Sequence, residues 1–215
     1  MPNIDIRILE ILTSKVCHDL ISPIGAVNNG VEFMQEMGVE NAGDGLDLIA
    51  FSAQQAAAKL TAYRMAYGSG GADNSIKPED VYNIIQDIVG AEDKISQDWD
   101  KDAPIGLNEE TFERPNGFGK ILICGLLLAM DCLPKGGVLS VTHEGDKDFT
   151  IFAKGQNANF RGGTHEALKR SISSDVLEPK NVHPYVMGLL LEQYGFSATL
   201  NDVDDQSVSI AIQLS

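Results

Sequence analysis

Between Ile4 and Met37 apolar or small residues recur at Ile6, Leu9, Val16, Leu20, Val27 and Met34, with Thr13 and Gly30 filling the intervening places of one stripe. Steps of three, four and seven mark one face of a helix, interrupted in this stretch only by Pro23. Gly38, Asn41 and Gly43, within Glu36 to Asp44, predict a helix stop and a turn. A second helix is expected from Asp44 to Tyr67, with the stripe Leu46, Ile49, Ala53, Ala56, Leu60, Tyr63 and Tyr67. Two such helices make an antiparallel hairpin, each arm roughly 35–50 Å long at about 1.5 Å per residue. A bare hairpin cannot cover both apolar stripes. Pairing two copies into a four-helix bundle would do so, and the run Ala56-Ala57-Ala58 suits close helix approach. A homodimer is therefore expected.

Gly68-Ser69-Gly70-Gly71 reads as a flexible break between two domains, residues 1–68 and 75–215. Beyond it, Pro78-Glu79-Asp80 opens a helix running from Val81 to about Ile95. An extended piece is expected near Trp99 to Leu107, then an apolar helix from Asn116 to Leu133 closed by Pro134-Lys135-Gly136-Gly137. Val138 to Glu144 and Phe149 to Lys154 alternate around Gly145-Asp146-Lys147-Asp148, the pattern of a β-hairpin. After a polar loop from Gly155 to Gly163, a short helix from Thr164 to Ile172 and a longer one from His183 to Tyr194 are expected. Ser197 to Leu200 and Ser207 to Leu214 complete the sheet. The class is α+β: a helical hairpin followed by an α/β sandwich whose mostly antiparallel sheet is backed by helices.

Composition narrows the partners. The formal net charge is −15, with 4 basic and 8 acidic residues in 1–68 and 12 and 23 in the remainder. So acidic a surface repels a phosphate backbone and an anionic membrane, which argues against both as partners. With no basic-then-apolar leader and no membrane-length apolar run, a soluble cytoplasmic protein is expected. Cys17, Cys124 and Cys132 lack metal-ligand spacing, so buried reduced thiols are expected at all three.

The chemistry concentrates in Ser14-Lys15-Val16-Cys17-His18-Asp19-Leu20-Ile21-Ser22-Pro23-Ile24-Gly25. At about 100° per residue, His18 lies on the far side of the helix from Val16 and Leu20. If those two face the core, His18 faces water, with Lys15 and Ser22 on its own face. An imidazole held out on a rigid helix beside a cation and a hydroxyl is suited to attack phosphorus. Asp19, one residue on, points about 100° away from His18, and reads as a helix-surface charge or a partner contact. His143, His165 and His183 carry no motif and read as a strand residue, helix surface and a helix start.

The pattern His-Asp-Leu-x-Ser-Pro resembles the H-box of sensor histidine kinases, and the second half follows the element order of their ATPase domain (the Bergerat fold). Leu126 to Gly137 looks like the helix and turn of its N-box. Aligned on Pro134 and Gly136-Gly137, however, Cys124 and Leu128 occupy the N-box asparagine positions. Lys154-Gly155-Gln156-Asn157-Ala158-Asn159 replaces the adenine-binding Asp-x-Gly-x-Gly, and Asn181-Val182-His183-Pro184 stands in place of the glycine-rich lid. Without those backbone donors a triphosphate has no cradle.

A kinase-like hairpin joined to a degenerate ATPase domain resembles the ChpT-type histidine phosphotransferases of alphaproteobacteria over essentially the whole chain, most strongly from residue 12 to 34. The resemblance implies a dimeric phosphorelay intermediate. His18 would accept phosphate from the receiver-domain aspartate of a hybrid kinase and deliver it to response-regulator receivers, in that family those governing the cell cycle. No cofactor of its own is implied, magnesium coming with the partner's receiver domain. Lys15, Asp19 and Ser22 would support His18, and Ile21, Ile24 and Asn28 would dock the receiver. Val27 would join them if exposed near the bend, and Asn29, like Asn28, reads as either a docking residue or helix surface. The competing readings are an atypical kinase that still binds ATP and a dimeric adaptor with an idle histidine.

Overall fold

A computed structural model describes residues 5–37, 43–90, 94–144 and 148–214. The expected turn at 38–42 and most of the β-hairpin tip, residues 145–147, lie outside them. Helices α1 (Ile6–Met37) and α2 (Gly43–Tyr67) form the hairpin. It is antiparallel, since Gly30 meets Gly45 and Ile49 while Asp19 meets Tyr63. Gly30 has a packing reason to interrupt a helix: a Cβ there would lie 2.7 Å from Ile49 Cγ1 and 3.1 Å from the Gly45 carbonyl. Close approach of the two helices offsets the roughly 0.5–1 kcal/mol that a mid-helix glycine costs.

The α2 stripe is divided between two surfaces. The buried residues of the helix, Gly45, Ser52, Ala58, Ala62 and Ala66, are none of them in the expected stripe, whose Leu46 and Leu60 stay 53% and 56% exposed. Small residues face the rest of the chain, and large apolar ones from the predicted stripe face out.

The second half holds α3 (Pro78–Val89), β1 (Ile95–Gln97), α4 (Phe118–Asp131), β2 (Gly137–Glu144), β3 (Asp148–Lys154), α5 (Thr164–Leu168), α6 (Val182–Tyr194), β4 (Phe196–Asp204) and β5 (Ser207–Leu214). Pro78 sits at the start of α3, where the Asp80 carboxylate accepts a 2.8 Å bond from the Lys77 backbone N–H. Gly195 ends α6 in the left-handed region at φ +74°. The five strands lie in the order β1-β2-β3-β5-β4. β1 runs parallel to β2 and the other pairs are antiparallel. In β3, Phe149, Ile151 and Ala153 point into the core, the alternation of a sheet covered on one face. The strand at Ile95–Gln97 lies where the sequence predicts helix followed by an extended piece from Trp99, because pairing with β2 overrides the local pattern.

Hairpin and sandwich pack on one another. Ala62 and Ala66 belong to the main core, and Ile8 and Ile11 join Leu177 and Val182 in a smaller cluster under α6. The expected flexible break is instead a packed joint. Ser69–Ala72 form a 3₁₀ turn with Gly71 buried, where a Cβ would fall 1.9 Å from the Met65 carbonyl. The buried Lys120 of α4 donates to the carbonyls of Ala66 and Gly68. Cys124 and Cys132 are buried thiols as expected, but Cys17 is exposed because it stands beside His18 on the outer side of α1. Among the described residues no helix is long and apolar enough to cross a membrane.

Candidate functional site

His18 stands on the open side of α1 with 88% of its side chain exposed, while Val16 and Leu20 are half-buried. Its surroundings differ from the sequence expectation at Asp19. That residue is neither an idle surface charge nor turned away: its Oδ1 lies 3.3 Å from His18 Nδ1. Oδ2 accepts a 3.0 Å bond from Lys15 Nζ and a 2.5 Å bond from the Tyr63 hydroxyl of α2. The 100° between backbone directions is bridged by side-chain reach. Lys15, the cation expected on the His18 face, is paired with the same carboxylate.

Two opposed influences set the Asp19 charge. Burial raises its pKa, but the hydrogen bonds from Tyr63 and Lys15 outweigh this and hold the carboxyl below the ordinary range. A carboxylate acceptor near Nδ1 favours the tautomer with the proton on Nδ1, leaving the Nε2 lone pair toward solvent. Burial, followed by the bond to Asp19, pushes the Tyr63 hydroxyl far above the usual phenol range, so it remains a donor.

Ser22 and Ile21 are exposed near His18, Ile21 at 67%. Ile21 and Asn28, one heptad apart, follow one line about 60–80° from His18, whereas Ile24 lies about 120° away. Ile24 (51% exposed) thus belongs to the strip that also holds Val31. Asn28 and Asn29 are both exposed.

Inward from Tyr63 the polar contacts continue into the second half of the chain. Tyr63 stacks on Tyr67 at 5.8 Å between ring centres, and the Tyr67 hydroxyl lies 2.6 Å from His183 Nδ1. His183 Nε2 lies 2.9 Å from the Cys124 carbonyl. A carbonyl only accepts, so Nε2 carries the proton and Nδ1 accepts from Tyr67. These groups line a cavity of about 270 Å³ between hairpin and sandwich that also reaches Lys15, Asp19 and Asp131. His183 is therefore a buried latch joining α2, α4 and α6, a role that its unremarkable sequence setting concealed. The available signal was the pair of tyrosines ending the α2 stripe, since a buried phenol needs a partner for its hydroxyl. His165 packs edge-on against Phe160, and His143 is a β2 residue.

Burial pushes the His183 pKa below its ordinary 6.5, against the opposing pull of Asp131. The unfolded chain then binds a proton that the folded chain refuses. The associated stability is complete above pH 6.5 and declines as pH falls below it. Urea midpoints measured between about pH 8 and about pH 5 should show this decline, and His183→Gln should flatten it.

No group of three His, Cys, Asp or Glu side chains poised to hold a metal occurs among the described residues. The positions aligned with the N-box asparagines, Cys124 and Leu128, are 0% and 3% exposed, with Cys124 Sγ 3.9 Å from the Ala66 carbonyl of α2.

The comparisons agree with this architecture. The family model of the histidine phosphotransferase C-terminal domain matches residues 78–206. The chain is 32% identical over 195 residues to the protein phosphotransferase ChpT of Brucella abortus (strain 2308), covering 89% of this chain and 88% of that protein. A bacterial phosphotransferase solved at 1.7 Å is 28% identical and superimposes with a TM-score of 0.79, over 99% of this chain and 98% of the other. The family model covers the sandwich, and the superimposed structure, over 99% of this chain, extends the match through the hairpin that presents His18. The chain belongs to the histidine phosphotransferase family, and its activity is that of a phosphotransferase in a phosphorelay.

Proposed function

We propose that His18 is the phosphoryl carrier, loaded by the phosphoaspartate of one receiver domain and discharged onto the aspartate of another. The observation that supports this most directly is an exposed imidazole whose Nδ1 faces a fixed, ion-paired carboxylate 3.3 Å away. In the loading step the Nε2 lone pair forms a bond to phosphorus as the phosphorus–oxygen bond to the donor aspartate breaks. The donor leaves as a carboxylate, and the ring keeps its Nδ1 proton, stabilised by Asp19. The delivery step is the reverse. Such a transfer needs position and charge neutralisation more than covalent help from the protein. Magnesium, in this reading, belongs to the receiver's acidic pocket, since Lys15 and Asp19 already satisfy each other. Ser22, Ile21 and Asn28 lie close enough around the helix to meet the docked receiver, with Ile24 at its margin.

The reading excludes ATP as the phosphate source. Its support is the burial of Cys124 and Leu128 under the end of α2, together with the absent adenine and lid motifs. We further read the chain as a homodimer through the outward stripe of the hairpin.

Incubating the purified chain with a receiver carrying labelled aspartyl phosphate should place label on the chain. It should be acid-labile and map to His18 by mass spectrometry. Labelled ATP alone should give none. Label from ATP without any receiver would establish a kinase instead, and label from the receiver at another residue would displace His18.

A further inference from the structure

We propose that Tyr63 is the positioning residue of the phosphotransfer site: its hydroxyl fixes the carboxylate of Asp19 and thereby selects the reactive tautomer of His18. The inference rests on His18 being the carrier but concerns a different residue on a different helix.

His18 is almost fully exposed, so its own packing does little to choose a tautomer. Orientation must come from Asp19. On its own helix that carboxylate meets His18 itself and Lys15, which is long, flexible and partly solvated. Tyr63 is different. Its ring is stacked on Tyr67, and Tyr67 is in turn bound to the buried His183. His183 is held by the backbone of α4 through Cys124. The Tyr63 hydroxyl is thus delivered to Asp19 Oδ2 from a rigid base, leaving Oδ1 aimed at His18 Nδ1. A phenol fixed by packing loses less freedom in making this bond than a lysine does. A first group orients a second that sets the proton on a nucleophilic imidazole, the logic of hydrogen-bonded triads in general.

Tyr63→Phe removes only the oxygen. It should slow single-turnover transfer onto His18 by about tenfold, the scale of a small loss of alignment at a reacting group. A purely structural role would not alter the next readout. The ¹⁵N shifts of the neutral His18 ring should show the Nδ1 proton predominant in the parent chain and a shift toward the Nε2-protonated form in Tyr63→Phe. Tyr67→Phe provides the control for general loosening, since it loses the buried bond to His183 but keeps the Tyr63 hydroxyl. It should lower the unfolding midpoint and, by loosening the base beneath Tyr63, shift the His18 tautomer and slow transfer by much less than Tyr63→Phe does. Unchanged rate and tautomer in a folded Tyr63→Phe chain would overturn the proposal, as would an equal tautomer shift in Tyr67→Phe. Failure of the underlying reading looks different: the parent chain itself would then carry no phosphate on His18.

Discussion

A His18→Gln chain is expected to accept no measurable phosphate from a phosphorylated receiver, a loss on the order of 10⁴-fold or more, as for removal of a nucleophile elsewhere. The neighbouring groups explain why no substitute should arise. Asp19 is occupied by Lys15 and Tyr63, and Ser22, though exposed, has no base assigned to it. Glutamine keeps the length and polarity of the side chain, so loss of transfer is not loss of the helix. Asp19→Asn gives the graded comparison. The amide can still meet the ring, but it lacks the negative charge that stabilises the imidazolium formed on attack. Its amino group also opposes two donors if turned toward Lys15 and Tyr63. A reduction of about 10²-fold in single-turnover rate is expected, the usual scale of one electrostatic partner. Rapid-quench measurement of labelled transfer would check both variants. A His18→Gln chain that takes up label at the parent rate would remove His18 from the reaction.

The hairpin was legible because its signals are local and periodic. Stripe, stop and restart predict α1 and α2 to within two residues of their observed ends. The sheet strands beyond residue 137 were legible through alternation. Less visible was everything that depends on which distant segment comes to lie alongside. Ile95 reads as the end of a helix, and Ser96 and Gln97 as part of no element, until β2 pairs with them. Gly68 to Gly71 has the composition of a linker, yet Lys120, some fifty positions later, binds the carbonyl of Gly68. The site divides in the same way. His18 and its exposure follow from the motif and from helix geometry. The hold on Asp19 comes from Tyr63, 44 positions away, and the base beneath Tyr63 comes from His183. A residue-by-residue reading finds the exposed His18 but not the framework that holds Asp19 beside it.

The outward face of the hairpin supplies the second large effect. Leu46, Ala53 and Leu60 recur at heptad spacing on α2, and all three are exposed. On α1, Ile24 and Val31 share one exposed strip. A monomer leaves these rows in water, whereas a second hairpin would cover them with the knobs-into-holes packing of a four-helix bundle. Leu46→Glu combined with Leu60→Glu places two carboxylates in that seam without partners, at a cost of several kcal/mol. The dimer dissociation constant should rise by about 10³-fold or more, and sedimentation velocity should show a monomer for the variant and a dimer for the parent chain. A parent chain that is monomeric at high concentration would overturn the dimer, and a variant that stays dimeric would put the interface elsewhere. Chemistry and assembly should then separate. Lys15, Asp19, His18 and Tyr63 all come from one chain and are joined by contacts within it. The stripe residues changed here supply none of the polar groups of that network, so a folded monomeric variant should still be phosphorylated on His18. Loss of both properties together would instead mean that the partner hairpin holds α1 and α2 in the register that brings Tyr63 to Asp19.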